Sequence, residues 1–189
     1  MDLVALVEGK TFLGSEYLVW LWFEAELYEG TLPLADGTQC EFWLESELSL
    51  ERDSETAKLK GASPSANAEA HEALRQGKLP TRARVRVIRN ELEWSFVFTT
   101  EDLALSSVKI PATLKDEKDE KFYERMYLVE ELETMIESLF GDFLTLRLGK
   151  AWDAFVLPTM RTWVKDDGVD LDGYTRKRAE SLAKRHRKG

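Results

Sequence analysis

The chain has 189 residues, 43% of them hydrophobic and 11% aromatic, with a formal net charge of −9. That composition excludes a disordered chain, and the length fits one domain burying about two thirds of its unfolded surface. A single cysteine, Cys40, excludes an intramolecular disulfide, and the lack of a secretory leader around Met1 to Val7 predicts a cytoplasmic protein.

The first element is GSEYLVWLWFEAEL (14–27). Its apolar run from Tyr17 to Phe23 is far shorter than the ~20 residues of a membrane helix, so no membrane span is read. Ser15 is placed to cap a helix starting at Glu16, with Leu18, Leu21, Trp22 and Ala25 on one face. This predicts a core helix, a buried strand being the alternative. Trp20 and Trp22 sit among Leu18, Val19, Leu21 and Phe23, which points to core packing rather than stacking on bases.

Phe42, Leu44, Leu48 and Leu50 then alternate with Glu41, Glu45, Glu47 and Glu51, the mark of a half-buried strand. The polar tract from Arg52 to Ala62 reads as a loop. Ser63-Pro64 opens a short surface helix with a thin stripe of Ala66, Ala70, Ala73 and Leu74, ended by Gly77.

In TRARVRVIRNELEWSFVF (81–98), Ala83, Val85 and Val87 alternate with Arg82, Arg84 and Arg86, and the apolar parity reverses to Leu92, Trp94, Phe96 and Phe98. A hairpin turning at Arg89-Asn90 would set Val87 against Leu92, Val85 against Trp94 and Arg86 against Glu93. A third strand is expected from Leu103 to Ile110, before Pro111. After the charged run KDEKDEK (115–121), Phe122, Met126, Val129, Leu132, Ile136, Leu139 and Phe143 mark a long amphipathic helix, with a bend at Gly141. AWDAFVLPTMRTWV (151–164) continues as helix, kinked or restarted at Pro158. The expected fold is α+β: an antiparallel sheet packed against helices, with a long amphipathic helix and a helical C-terminal third.

Little in the chain points to catalysis. His71 and His186 have no partners at zinc-site spacing, and Cys40 has no activating base. In DDGVDLDG (166–173) the aspartates alternate as in a calcium loop, but aligning Gly173 to the turn glycine puts Gly168 and Ala179 where the first and last ligands belong. Helix-capping aspartates in a polar linker are the plainer reading. With no phosphate-cradling loop or nucleophile elbow, the expectation is a protein that is not an enzyme and holds no metal or cofactor.

The cations are more informative. Arg82, Arg84 and Arg86 project from one side of a strand, with Lys78 just before it. Two readings stand: a charge ladder against Glu91 and Glu93 on a wet sheet face, or contact with phosphates. A second group, Arg176, Lys177, Arg178, Lys184, Arg185, Arg187 and Lys188, has Glu180 as its one acid and reads as a flexible basic tail over 174–189. The rest of the chain is correspondingly acidic, and would repel a polyanion unless its basic groups share one surface.

Five stretches, FLGSEYLVWLW, EFWLESELSLE, PSANAEAHEALRQGK, LPTRARVRV and RMYLVEELETMIESLF, together resemble the C-terminal half of the RdgC family of recombination-associated bacterial proteins. The likeness covers roughly residues 12 to 148 and is anchored at Phe42, Leu44, Glu47, Leu48, Gly77, Lys78, Arg82 and Leu132. It implies a nucleoid protein that modulates recombination by binding duplex DNA without sequence preference. Family members do so as a ring-shaped homodimer with a basic inner surface. Lys78 and Arg82 match basic family positions, and Lys58 and Lys60 lie near the basic stretch used where the ring closes, making them candidate oligomer contacts. Arg84 and Arg86 are added from strand geometry alone. With the family's N-terminal half unmatched, the expected partner is a second copy or a separate chain in its place. The expected organisation is an RdgC-like domain over 1–148, a helical extension over 149–173 and the tail over 174–189. The competing reading is an acidic interaction scaffold that oligomerises through its helices and does not bind DNA.

Overall fold

The computed structural model describes residues 12–52, 55–61 and 68–186. In chain order the elements are α1 (Phe12–Leu27), β1 (Thr31–Pro33), β2 (Gln39–Arg52), β3 (Glu55–Gly61), α2 (Ala68–Arg75), β4 (Leu79–Arg89), β5 (Leu92–Thr99) and β6 (Ala104–Lys109). They are followed by α3 (Lys118–Leu148), a π-helical turn (Trp152–Val156), α4 (Leu157–Lys165) and α5 (Leu171–His186). The fold is α+β, as expected. Its antiparallel sheet runs β1-β2-β4-β5-β6, with β3 sharing the β1 edge of β2.

The alternation in β2, β4 and β5 decides which face is buried. Phe42, Leu44, Leu48, Leu50, Val85, Val87, Trp94, Phe96 and Phe98 all point into one core. Against that core lies α1, which begins at Phe12 rather than being capped by Ser15; the Ser15 hydroxyl instead donates to Thr100 Oγ1 at 3.3 Å. The approach is close, because a Cβ on Gly14 would fall 1.9 Å from the Thr100 carbonyl oxygen. Nor does α1 bury a single face. From Tyr17 to Phe23 every side chain is buried, since the helix lies between the sheet and the C-terminal helices. Trp20 and Trp22 are core residues, and no helix among the described residues is long and apolar enough to cross a membrane.

Three readings of the strands and of α3 change as well. The hairpin turns at Asn90-Glu91, both at positive φ (52° and 66°), so Val87 pairs with Trp94, Val85 with Phe96 and Arg86 with Ser95. A two-residue shift keeps the inside and outside faces unchanged, so the hydrophobic pattern cannot choose between these registers; Asn90, which tolerates the left-handed region, does. The tract read as a loop contains β3, whose half-buried Ala57 and buried Leu59 pack on the core while Lys58 and Lys60 are exposed. Finally, α3 is unbroken across Gly141, but only Leu132, Leu139 and Phe143 of its predicted stripe are fully buried; Phe122, Met126 and Val129 face solvent.

The π turn supplies the expected irregularity at Pro158. Pro158 has no N–H to donate back along the helix, and the Leu157 N–H reaches the Trp152 carbonyl, five residues earlier. Gly77, at φ +79°, follows α2 as expected, while Ser63, Pro64 and Ala66 lie outside the described residues. Asp170 caps α5, its Oδ1 accepting the Gly173 N–H at 3.0 Å. Residues 174–186 are helical, and Tyr174 and Arg178 are buried, so this part of the chain is not a flexible arm. Trp152, Trp163 and Tyr174 belong to the same core as the sheet, which runs through the boundary expected at 148.

Candidate nucleic-acid interface

The face of the sheet opposite the core is built row by row from cross-strand neighbours. Lys58, Ser49, Arg82 and Thr99 form one row, since Ser49 pairs with both Lys58 and Arg82, and Arg82 with Thr99. The next row contains Glu45, Arg84, Val97 and Ser106, with Lys60 opposite Glu47 beside the bulge in β2. The last row is Trp43, Arg86, Ser95 and Lys109. Directly paired residues share a face, so Lys58, Lys60, Arg82, Arg84, Arg86 and Lys109 all project from this side. At strand spacing the rows extend about 19 Å from β3 to β6, and Arg82 to Arg86 spans about 13 Å along β4.

Their availability differs. Arg82 is exposed and Arg84 half-buried, and neither makes an ion pair with another described residue. Lys58, Lys60 and Lys109 are exposed as well. Arg86 is held by Glu45 and lies 3.7 Å from Glu93, so of the two acids expected on the facing strand only Glu93 touches it; Glu91 is in the turn. Lys78 is not part of the face: it precedes β4 and pairs with Glu55 at 3.2 Å. Sequence reasoning assigned Lys58 and Lys60 to an oligomer contact and overlooked Lys109; the A-K-L-K alternation of β3 was the available signal.

The expected basic tail divides. Arg176 and Lys177 are exposed on α5, and the side chains of Lys184, Arg185, Arg187 and Lys188 lie outside the described residues. Arg178 is a correction. It is buried, with Nε 2.9 Å from Glu24 Oε2 and Nη2 3.3 Å from Asp142 Oδ2, and is unavailable to a phosphate. The Tyr174 hydroxyl donates to the other Glu24 oxygen. Burial pushes the Glu24 carboxyl up, against the opposing pull of Arg178 and Tyr174. Burial also opposes the Arg178 charge, but Glu24 and Asp142 outweigh it and hold the guanidinium above its ordinary value. The one sequence sign of this cluster was Glu24 itself, an acid directly after a seven-residue apolar run.

A groove of about 810 Å³ lies between α1, α2 and β2, lined by Trp22, Glu26 and His71 among others, and it shares Trp43, Glu45 and Arg86 with the sheet face. Glu26 accepts from Trp22 Nε1 at 2.5 Å and Trp163 Nε1 at 2.7 Å, with His71 Nε2 3.2 Å away. These contacts join α1 to α2 and α4. Chemically, the sheet face offers fixed cations to a polyanion through charge-assisted hydrogen bonds. No protein-family model matches the chain, and no curated protein is significantly similar to it.

Proposed function

We propose that this protein binds duplex DNA through phosphates on the open face of its sheet, without sequence preference and without catalysis, in the manner of the RdgC proteins its sequence resembles. The observation that supports this most is the gathering of Lys58, Lys60, Arg82, Arg84 and Lys109 on one face of an otherwise acidic molecule. Arg82 and Arg84 stand at its centre without carboxylate partners among the described residues. Arginines on a rigid strand lose little freedom on contacting a phosphate, and a basic face on an acidic body orients a polyanion toward it.

The acidic-scaffold reading is favoured by a different fact: Lys78, Arg86 and Arg178, all expected at the interface, are occupied by carboxylates. Fluorescence anisotropy with a labelled duplex over a salt series separates the two. Binding should weaken with a log–log slope near −0.9 for each phosphate neutralised. Arg82→Glu combined with Arg84→Glu should flatten that slope by about two phosphates' worth. Binding unchanged by that variant removes the sheet face from the proposal, and no salt-sensitive binding at all leaves the scaffold. Magnesium-dependent degradation of the duplex by the pure protein would make it an enzyme instead.

A further inference from the structure

The groove between α1, α2 and β2, at about 810 Å³, has the volume of a small-molecule site. One of its walls is aromatic. Trp43 projects from β2 and lays its ring against the turn after α1, so closely that a Cβ on Gly30 would fall 2.3 Å from the ring. Its indole N–H donates to Glu41 at 3.2 Å, which fixes the ring while the residue stays 37% exposed. The contact with Gly30 sets the ring beside Glu29, which is exposed and has no ion-pair partner among the described residues. Trp22 and Phe42, both buried, give the groove an apolar floor.

The charged lining is unequally engaged. Arg86 is held by Glu45, and Arg75 donates through Nε to the Val164 carbonyl at 2.8 Å and lies 3.7 Å from Glu72. The acids are freer. Asp166, just past α4, is exposed and has no ion-pair partner among the described residues. Glu26 meets two neutral indole N–H groups, with His71 beside it. These take about three of a carboxylate's roughly four acceptor positions, which leaves Glu26 held in place with room for one more donor. Such a lining complements a positive charge. Among the described residues no three metal-ligating side chains converge, so the acids do not form a metal site.

We infer that the groove binds a small organic cation, a primary ammonium on a flat apolar body. The ammonium donates to Glu26 and Glu29, and the body lies against the face of Trp43. Charge-assisted hydrogen bonds and the attraction of a cation to the indole face act together in such a complex. The inference goes beyond the DNA-binding reading and does not rest on it.

Isothermal titration of the full chain with phenethylamine, at a neutral pH where the amine is protonated, should show one saturable site with a Kd of about 100 µM. The uncharged 2-phenylethanol and the anionic 3-phenylpropionate should each bind at least about tenfold more weakly. Glu29→Gln should weaken phenethylamine about three- to tenfold, and Trp43→Leu should do so by a similar factor. Both residues are at the surface, so circular dichroism and melting temperature should match the parent chain in each variant. Failure of phenethylamine to saturate by about 10 mM, a hundredfold above that Kd, overturns the inference. Equal binding of 3-phenylpropionate also overturns it, as does binding that neither substitution weakens.

Discussion

Arg178 shows how far a single residue's role depends on its surroundings. In the sequence it is one of three consecutive cations; in the fold it closes a buried cluster with Glu24, Asp142 and Tyr174, drawn from α1, α3 and α5. Replacing such a pair wholesale with apolar groups can be neutral, but removing one partner leaves the others charged and desolvated. Arg178→Ala should therefore cost about 3–5 kcal/mol in denaturant unfolding, since it takes the buried cation away from two carboxylates at once. A loss below about 1 kcal/mol, the range of a surface pair, would mean the cluster opens to water. Arg82 differs in kind: it is exposed, and its substitution should leave stability nearly unchanged.

At the scale of elements, the β4–β5 hairpin joins both halves of the molecule's design. Its inner face puts Val87, Val85 and Ala83 against Trp94, Phe96 and Phe98, and its outer face presents Arg82 and Arg84. The turn that sets this register holds two non-glycine residues in the left-handed region, Asn90 at φ 52° and Glu91 at φ 66°. Asparagine accepts that geometry through its short polar side chain; glutamate does not, at a cost of about 1–2 kcal/mol. Glu91→Gly creates the Asn-Gly sequence preferred by such turns and should stabilise the protein by about 1 kcal/mol, read as a higher denaturant midpoint with unchanged slope. Destabilisation would show that the Glu91 side chain contributes something the turn geometry does not explain. The same hairpin shows the limit of patterning: a shift by two residues preserves every inside and outside assignment, so only turn chemistry distinguishes the two registers.

For the whole molecule, the decisive feature is continuity of the core. Trp152, Trp163 and Tyr174 pack in the same cluster as the sheet residues, and Leu182 packs against it. The C-terminal helices are therefore part of the domain rather than an appendage. Ending the chain after Asp170 should destabilise the entire protein, with loss of cooperative thermal unfolding, because it uncovers α1 and leaves Glu24 buried without Arg178. Ending it after Ala183 should leave the melting temperature within a few degrees of the parent. If the shorter chain melts like the parent, α5 is not a structural element. The comparison also separates stability from binding: the chain ending after Ala183 keeps Arg176 and Lys177 while losing Lys184, Arg185, Arg187 and Lys188.

By itself the sequence determined the fold class and the two faces of the sheet, because period-two alternation and helical spacing are local properties of the chain. It also placed Arg82, Arg84 and Arg86 together on one face, since strand geometry dictates that parity. Only the tertiary structure decided which cations remain available, because ion pairs such as Arg86 with Glu45 and Arg178 with Glu24 join residues 41 or more positions apart. It alone brought Lys58, Lys60 and Lys109 beside the arginines, by aligning strands whose pairing the local pattern leaves open. It also divided α3 into a buried half and an exposed one: the helical repeat is the same in both, and what differs is whether the rest of the chain reaches it.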